Sequence, residues 1–312
     1  MRAIVERPSG KSADAFARFE RLFSYPLGAH TRFRISHGED YARFFRAMGE
    51  GTVFVAERNG EVLGTIGTAL REIAGPDGQV ASALYIGDLK VLPSAESGLT
   101  LLRLARAVKE WAGTRVTAAF GVAMDGTTVT PERYTGRLGI PPFVEIGRIM
   151  VIRLACEGVP DSRVEYECSE AEALGTHHKL VRNGYATIGG IALERSEIAP
   201  VWLRYPSGSA CGRLEDTRRA KRLYTAEGAE LLSAHLSFFA FDDVGRAVEL
   251  LQHAMARARR LGFPALFCSV PLNQAEPLTA ALPRGIATPA PATVYGTGFP
   301  RGFAWHINTA EI

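Results

Sequence analysis

A polar loop at residues 94–98, which ends in a glycine, is the part of this sequence best suited to bind a charged ligand. It follows an apolar run at 83–91 with the residue types of a buried strand, and Pro93 cannot continue such a strand. From residue 101 to 112, apolar residues recur at three- and four-residue spacing, which predicts a helix. The free N–H groups and the positive dipole at a helix N-terminus favour a phosphate. The spacing therefore predicts a strand, a phosphate-binding loop and a helix.

The segment 83–112 resembles the acyl-CoA-binding segment of the GNAT superfamily of acetyltransferases. The shared features are a strand, Val-x-Pro, a polar glycine loop and a long helix. Residues 91–93, Val-Leu-Pro, fit this pattern, and residues 98–100, Gly-Leu-Thr, stand where the family has Gly-x-Gly or Gly-x-Ala. Glu96 stands where the family has Arg or Gln, and the loop is about one residue shorter. The resemblance implies an acyl-CoA N-acyltransferase fold with acetyl-CoA as co-substrate.

The resemblance also implies which residues hold the co-substrate. Main-chain groups would do so, and small or flexible residues would let the ligand approach closely. The pantetheine arm would be held by Leu89, Lys90 and Val91, and the pyrophosphate by Ser97, Gly98, Leu99 and Thr100.

Two side chains are implied as catalytic. Asp88, at the end of the strand, stands where such enzymes keep an acid–base or water-ordering carboxylate; it could equally hydrogen-bond a loop backbone. Tyr134 is the candidate that protonates the leaving thiolate, although a tyrosine on a helix is also an ordinary packing residue. Aligned on the Leu-Gly pair at 138–139, the family's tyrosine position holds Thr135, one place after Tyr134.

The order of elements before this segment is also that of the GNAT fold. Aromatic-rich helices are predicted at 12–23 and 39–48, with core packing favoured over an acceptor groove as the role of their rings. Strands at 52–58 and 61–72 join at an Asn-Gly pair, a strong hairpin signal. We therefore predict a mixed α/β (α+β) protein whose mostly antiparallel sheet is flanked by helices.

Equal spacing of glycines indicates an internal repeat. Gly98 and Gly245 are 245 − 98 = 147 residues apart, and the helix-ending Gly139 and Gly285 are 285 − 139 = 146 apart. Equal offsets at both ends of a unit are typical of two related copies in tandem.

We therefore predict two tandem GNAT-like domains. Residues 1–157 would form the N-terminal domain with the candidate acetyl-CoA site, and residues 158–312 a degenerate C-terminal copy. In the second copy Asp242 and Asp243 occupy the loop, where two carboxylates would oppose a pyrophosphate. That copy is interpreted as structural or substrate-shaping.

Composition restricts the function classes. The 312 residues carry a formal net charge of +3, too small to indicate a nucleic-acid partner. No apolar run has the roughly 18–20 residues of a membrane span, and the N-terminus lacks a secretory signal. The four cysteines have no metal-like spacing, which favours reduced thiols in a cytoplasmic protein without a bound metal.

The remaining histidines and basic residues are interpreted mainly as structural or solvent-facing residues. The adjacent His177 and His178 lack a third metal ligand and are predicted to face solvent, whereas His235 is predicted to be a core histidine. The basic run at 213–222 is interpreted as a solvated hairpin face, with an acidic partner as the alternative.

The main hypothesis is an acetyl-CoA-dependent N-acetyltransferase that acts on a primary amine of an unknown small molecule or peptide by direct attack. The alternative is a catalytically inactive GNAT-fold protein that binds an acyl-CoA or a protein partner, favoured by Glu96, the short loop and the displaced Tyr134. Neither nucleic acid nor membrane is expected as a partner, and a homodimer is left open.

Overall fold

The computed structural model describes residues 2–4, 11–27, 31–95, 99–159 and 166–312. Its helices are α1 (Lys11–Glu20), α2 (Arg43–Arg46), α3 (Leu99–Ala112), α4 (Pro131–Tyr134), α5 (Glu170–Leu180), α6 (Ala192–Arg195), α7 (Val244–Arg260) and α8 (Leu272–Ala281), with 3-10 turns at Pro93–Ala95 and Thr309–Glu311. Its strands are β1 (Arg2–Ile4), β2 (Tyr25–Leu27), β3 (Thr31–Ser36), β4 (Glu50–Arg58), β5 (Glu61–Ala74), β6 (Val80–Val91), β7 (Ala119–Met124), β8 (Val144–Ala155), β9 (Gly184–Ile188), β10 (Val201–Arg204), β11 (Ala210–Glu215), β12 (Arg222–Thr225), β13 (Ala234–Phe241), β14 (Ala265–Pro271), β15 (Ala287–Thr297) and β16 (Ala304–His306).

The predicted antiparallel meander forms the centre of the first half. Strands β4, β5 and β6 pair in sequence order, and the turn between β4 and β5 has Asn59 and Gly60 at positive φ, as the Asn-Gly signal predicts. Helix α3 packs against β4 and β5. Its fully buried face consists of Leu104, Val108 and Ala112, while Leu101 is only partly buried.

One mixed sheet runs through both halves of the chain. Its main path is β1-β4-β5-β6-β7-β15-β8-β14-β13-β11-β10, and most of its pairs are antiparallel. Strand β15, from the second half of the sequence, lies between β7 and β8 of the first half. The predicted α/β class with a mostly antiparallel sheet flanked by helices is confirmed, while the domain boundary at residue 157 stays a prediction.

The same local arrangement occurs once in each half. A strand, a loop and a long helix lead to a parallel neighbour strand: β6–α3–β7 in the first half and β13–α7–β14 in the second. The first strand of each arrangement, β6 or β13, carries a register shift and one non-glycine residue at positive φ. These residues are Asp88, with a φ of 51°, and Phe238, with a φ of 54°. These two residues are 238 − 88 = 150 apart, close to the offset of the glycines.

Two elements are shorter than the sequence pattern predicts. The apolar residues at 188–193 predict a strand, but β9 ends at Ile188, because two glycines at positive φ follow it and α6 begins at Ala192. The run at 131–138, with proline at its start, predicts a short helix, but α4 ends at Tyr134. A separate three-stranded sheet, β12-β3-β2, joins the two halves without having been predicted.

Among the described residues, no helix combines the length and the apolar character needed to cross a membrane. All four cysteines are free thiols, and three of them, Cys156, Cys211 and Cys268, are buried.

Candidate active site

A cleft opens where the parallel strands β6 and β7 separate. They pair only at Leu84 with Ala119 and Tyr85 with Phe120. At the point of separation the backbones are in close contact, since a Cβ atom on Gly121 would lie 2.4 Å from the carbonyl oxygen of Ile86. Beyond this point the β6 edge has no strand partner on the β7 side among the described residues, and its main-chain groups face the cleft.

A bulge bends β6 at the mouth of this cleft. Gly87 is opposite Gly67 and Lys90 opposite Thr65, so β6 has one residue more than β5 between these pairs. Asp88 lies in the bulge with a φ of 51°, a left-handed conformation that aspartate tolerates better than most residues but at a cost. The bulge is thus a strained point held by its surroundings, which is typical of functional sites.

The cleft has a volume of about 440 Å³ and passes through the gap between β6 and β7. On one side it runs beneath α3, and on the other it reaches β2 and β3 through Tyr25, Phe33 and Ile35. Segment 127–141, which contains α4, also lines it. Most of the lining is apolar, with Asp88 as its carboxylate.

The side chain of Asp88 belongs to a buried ionic cluster at the base of the cleft. Its Oδ1 lies 2.6 Å from the Nζ of Lys90, and its Oδ2 accepts a hydrogen bond from the hydroxyl of Tyr41. Burial alone would raise the pKa of Asp88, but the Lys90 ammonium outweighs it, with help from His37, and the pKa lies below its usual value. Burial would lower the pKa of Lys90, but the Asp88 carboxylate raises it well above its usual value. The pair is therefore held in its charged form.

Glu20 and His37 extend this cluster away from the cleft. The Nδ1 of His37 lies 2.6 Å from Glu20 Oε1, and its ring stacks on Tyr41. Glu20, His37 and Asp88 place their ligand atoms within 4.8 Å of one another, a grouping that could hold a cation. The Nζ of Lys90 lies 3.7 Å from Glu20 Oε1, so the protein itself supplies the positive charge of this cluster.

Tyr134 lies at the end of α4 and lines the cleft. Burial, with a smaller contribution from Tyr295, raises its pKa to about 12. The phenol therefore stays protonated at neutral pH and can donate a hydrogen bond into the cleft.

The residues predicted to hold the co-substrate are placed as follows. Leu89 lines the cleft, whereas the side chain of Lys90 is turned into the buried cluster, which leaves its main chain at the edge of β6. Leu99 and Thr100 form the first turn of α3. The remaining predicted positions are Val91, the last residue of β6, and Ser97 and Gly98, which lie with Glu96 outside the described residues.

No protein-family model matches the sequence, and no curated protein resembles it in sequence. Among solved structures, the chain is similar to Saccharomyces cerevisiae N-myristoyltransferase with bound myristoyl-CoA, with a TM-score of 0.60 at 11% identity over 91% of this chain and 78% of that chain. A second structure of that enzyme gives a TM-score of 0.59 at 11% identity, over 96% and 79%. The fold is that of the GNAT superfamily. The predicted resemblance is thereby confirmed for the fold.

In the second half, the space beside the parallel strands β13 and β14 is filled by the chain itself; we call it the second cleft. Between β13 and β14 lies segment 304–311. The main-chain N–H of Phe238 donates to Asn308 Oδ1 at 2.7 Å, and the hydroxyl of Ser269 donates to the main-chain oxygen of Ile307. The segment thus occupies, beside β13 and β14, the position that the open cleft has beside β6 and β7.

Buried ion pairs anchor this segment to both halves. Glu311 accepts from Arg71 on β5 at 3.0 Å and from Arg195 on α6 at 3.1 Å, and Arg195 also pairs with Glu215 on β11 at 3.0 Å. The next residue, Ile312, lines the first cleft. A single short segment therefore closes the second cleft and forms part of the wall of the first.

The basic run at 213–222 is not a free charged face. Arg213 and Lys221 are buried, so the solvated-face prediction is wrong for both. Arg218 pairs with Asp216 at 2.5 Å, and Arg222 pairs with Glu197 at 2.9 Å. Arg219 is exposed, as the solvated-face prediction has it, and its Nη1 donates to the main-chain oxygen of Leu193 at 3.0 Å. Most charges of this run are thus paired within the molecule, which weakens the alternative of an acidic partner.

The predictions about the exposure of the histidines are also partly right and partly wrong. His177 is buried, so the prediction that it faces solvent is wrong, whereas His178 is exposed. His235 is buried with its Nδ1 3.0 Å from Thr309 Oγ1, and the prediction of a core histidine is confirmed.

Proposed function

We propose that this protein is an acyl-CoA-dependent N-acyltransferase that uses the cleft between β6 and β7. The observation that carries the proposal is the geometry of that cleft: two parallel strands separate at a bulge, and the edge of β6 leads to the N-terminus of α3. Such an edge offers main-chain groups to an extended pantetheine arm, and a helix N-terminus favours its pyrophosphate. The yeast structures with bound myristoyl-CoA, which share the fold, support a CoA thioester as the donor.

The internal repeat suggests which group polarises the thioester carbonyl. In the second half, the N–H of Phe238 at the bulge donates to the side-chain carbonyl oxygen of Asn308. Asp88 is at the equivalent bulge of the first half. We therefore assign the main-chain N–H of Asp88 as the donor to the thioester oxygen, where negative charge develops during attack.

In the reaction, the neutral acceptor amine attacks the thioester carbon; the new C–N bond forms and the C–S bond breaks. The amine nitrogen gives up one proton and the leaving thiolate takes one, so one further proton is released per ammonium consumed. Because the Asp88 carboxylate stays paired with Lys90, it is suited to orient an ammonium more than to remove its proton. Tyr134, with its raised pKa, is suited to donate a hydrogen bond to the leaving sulfur.

Acetyl-CoA is the simplest donor for this reaction, and a primary amine of a small molecule or peptide is the acceptor. Main-chain groups of residues 89–91 and 97–100 are proposed to hold the donor. We propose that the second half has no catalytic role, because segment 304–311 occupies its cleft.

Calorimetric titration with acetyl-CoA and free CoA tests this proposal, with two variants on α3. Ala105→Trp places an indole in the cleft, whereas the control Glu110→Trp lies on the exposed face of the same helix. We expect the wild type and the control to bind and Ala105→Trp to lose binding. Binding that persists in Ala105→Trp would contradict the assignment of the cleft.

A second assay separates the enzyme from the inactive alternative. Release of the CoA thiol is followed in the presence of a panel of primary amines. Amine-dependent release supports the transferase, while binding without release for every amine favours a GNAT-fold protein that binds acyl-CoA without turnover.

A further inference from the structure

The cleft continues beyond the point where the thioester would lie. From the bulge at Asp88 it follows β6 back to Leu84, a distance of about 13 Å at the rise of a strand. It also follows α3 to its last turn, where Ala112 and Gly113 line it, and then the loop at 116–118. The pyrophosphate end lies in the opposite direction, at the first turn of α3, so this extension has no role in holding the CoA moiety.

The extension is apolar and is lined by small residues at its far end. Its walls include Leu84 and Ile86 from the sheet and Val108 from α3, and its end includes Ala112 and Ala118. Lys109 and Gly113 also line this end and are exposed, so water reaches the cleft there. An acetyl group would leave the apolar walls in contact with water, whereas a hydrocarbon chain would bury them, which is favourable. Larger side chains at the two alanines would close the extension.

The exposure of α3 agrees with an apolar ligand. Leu101 and Ala105 lie on the apolar face of the helix, yet they are only partly buried because they line the cleft. Leu104, on the neighbouring stripe, is fully buried against β5. The apolar face of α3 is therefore wider than the sheet covers, and the remaining stripe faces the cleft.

We propose that this extension binds the hydrocarbon chain of a fatty acyl-CoA, so that the donor is a medium- or long-chain acyl-CoA in preference to acetyl-CoA. The inference rests on the proposed function and specifies its donor. The chain would run from the thioester at Asp88 between α3 and β6 towards Ala112. Most contacts with it would be apolar, although Lys109 and Thr117 also line this part of the cleft, so that affinity would depend mainly on the length of the chain.

The proposal is tested with a series of saturated acyl-CoAs, namely acetyl-, butanoyl-, octanoyl-, dodecanoyl- and hexadecanoyl-CoA, titrated into the wild-type protein below their micelle concentrations. Burial of each methylene should tighten binding by about fourfold until the extension is full, after which the affinity levels off or falls. Equal dissociation constants for acetyl- and octanoyl-CoA would overturn the inference and leave the proposed function standing. Absence of binding for every acyl-CoA would overturn both.

Two variants locate the chain. Ala112→Phe fills the far end from α3, and Ala118→Leu narrows it from the loop, so that one remains informative if the other does not fold. Each should keep the wild-type affinity for acetyl-CoA and lose the gain for octanoyl-CoA and longer donors. The control Glu110→Phe changes an exposed residue of the same helix and should keep the full series. An unchanged chain-length profile in both folded variants would overturn the inference.

Discussion

Replacing Lys90 with methionine removes the positive charge from the buried cluster beneath the cleft. Its Nζ lies 2.6 Å from Asp88 Oδ1 and 3.7 Å from Glu20 Oε1, and all three side chains are less than a tenth exposed. With an effective dielectric constant of about 20, unit charges at these distances attract by about 6 and about 4 kcal/mol before desolvation is counted. Because Lys90→Met would leave two buried carboxylates without this cation, we expect the free energy of unfolding to fall by about 3–5 kcal/mol.

Urea unfolding monitored by tryptophan fluorescence at pH 7 and pH 4.5 measures this change. The pKa of Asp88 is depressed, so its pairing stabilises the wild type above the carboxyl's ordinary pKa and is lost as the pH falls through the depressed value. In Lys90→Met the carboxylate has lost its ammonium, and protonation relieves its burial. The deficit should therefore be smaller at pH 4.5 than at pH 7.

A double variant is the control for that experiment. Asp88→Asn combined with Lys90→Met removes both charges of the closest pair and should recover a large part of the lost stability. A loss below 1 kcal/mol in the single variant, or an equal loss in the double variant, would refute the reasoning that the pair is buried and mutually dependent.

Three further predictions follow from the same structure. Burial, with the nearby Arg195 adding to its effect, lowers the pKa of Lys221 to about 7. Between pH 7 and the ordinary lysine pKa, the unfolded chain therefore binds a proton that the folded chain does not, and the stability of the wild type should rise with pH. The urea midpoint of Lys221→Met should rise less over this range than that of the wild type. Asn308→Leu leaves the main-chain N–H of Phe238 without its acceptor, so the free energy of unfolding in urea should fall by about 1–3 kcal/mol. The affinity for acyl-CoA, measured by calorimetry, should stay unchanged. A loss of that affinity would place the donor in the second half. Tyr134→Phe should lower kcat by about ten- to a hundredfold in the thiol-release assay with little change in donor Kd, and an unaltered kcat would remove Tyr134 from the reaction.

Local patterns in the sequence predicted the parts of the fold that depend on neighbouring residues. The Asn-Gly turn, the strand ending at Val91 and the helix that follows each carry a periodic or turn signal within a short window. The glycine spacing predicts an internal repeat, which stays a prediction, and the structure has one bulge with a non-glycine residue at positive φ in each half, at Asp88 and at Phe238. The fold class followed from the order of these elements.

The remainder depends on contacts that no short window contains. Strand β3 pairs with β12 through Ser36 and Arg222, which are far apart in sequence, and both strands are short. Segment 304–311 enters the second cleft through side-chain hydrogen bonds for which the sequence offers no periodic pattern.

The ionic cluster was missed for the same reason. Glu20 and Tyr41 belong to predicted helices whose aromatic residues are interpreted as core packing, and His37 lies between those helices; all three meet Asp88 and Lys90 only in the folded chain. In the sequence alone Asp88 therefore stands as an isolated carboxylate, although its ammonium partner is two residues away. In an extended strand, residues two apart share a face, which was the one available signal for this pair.

Hydrogen–deuterium exchange with and without acyl-CoA tests the central claim most directly, because it compares the two clefts in one experiment. We predict that donor binding protects the amides of β6 from residue 86 to 91 and those of the first turn of α3, with no change in β13. Protection of β13 in place of β6 would move the site to the second half and refute the assignment of the first cleft.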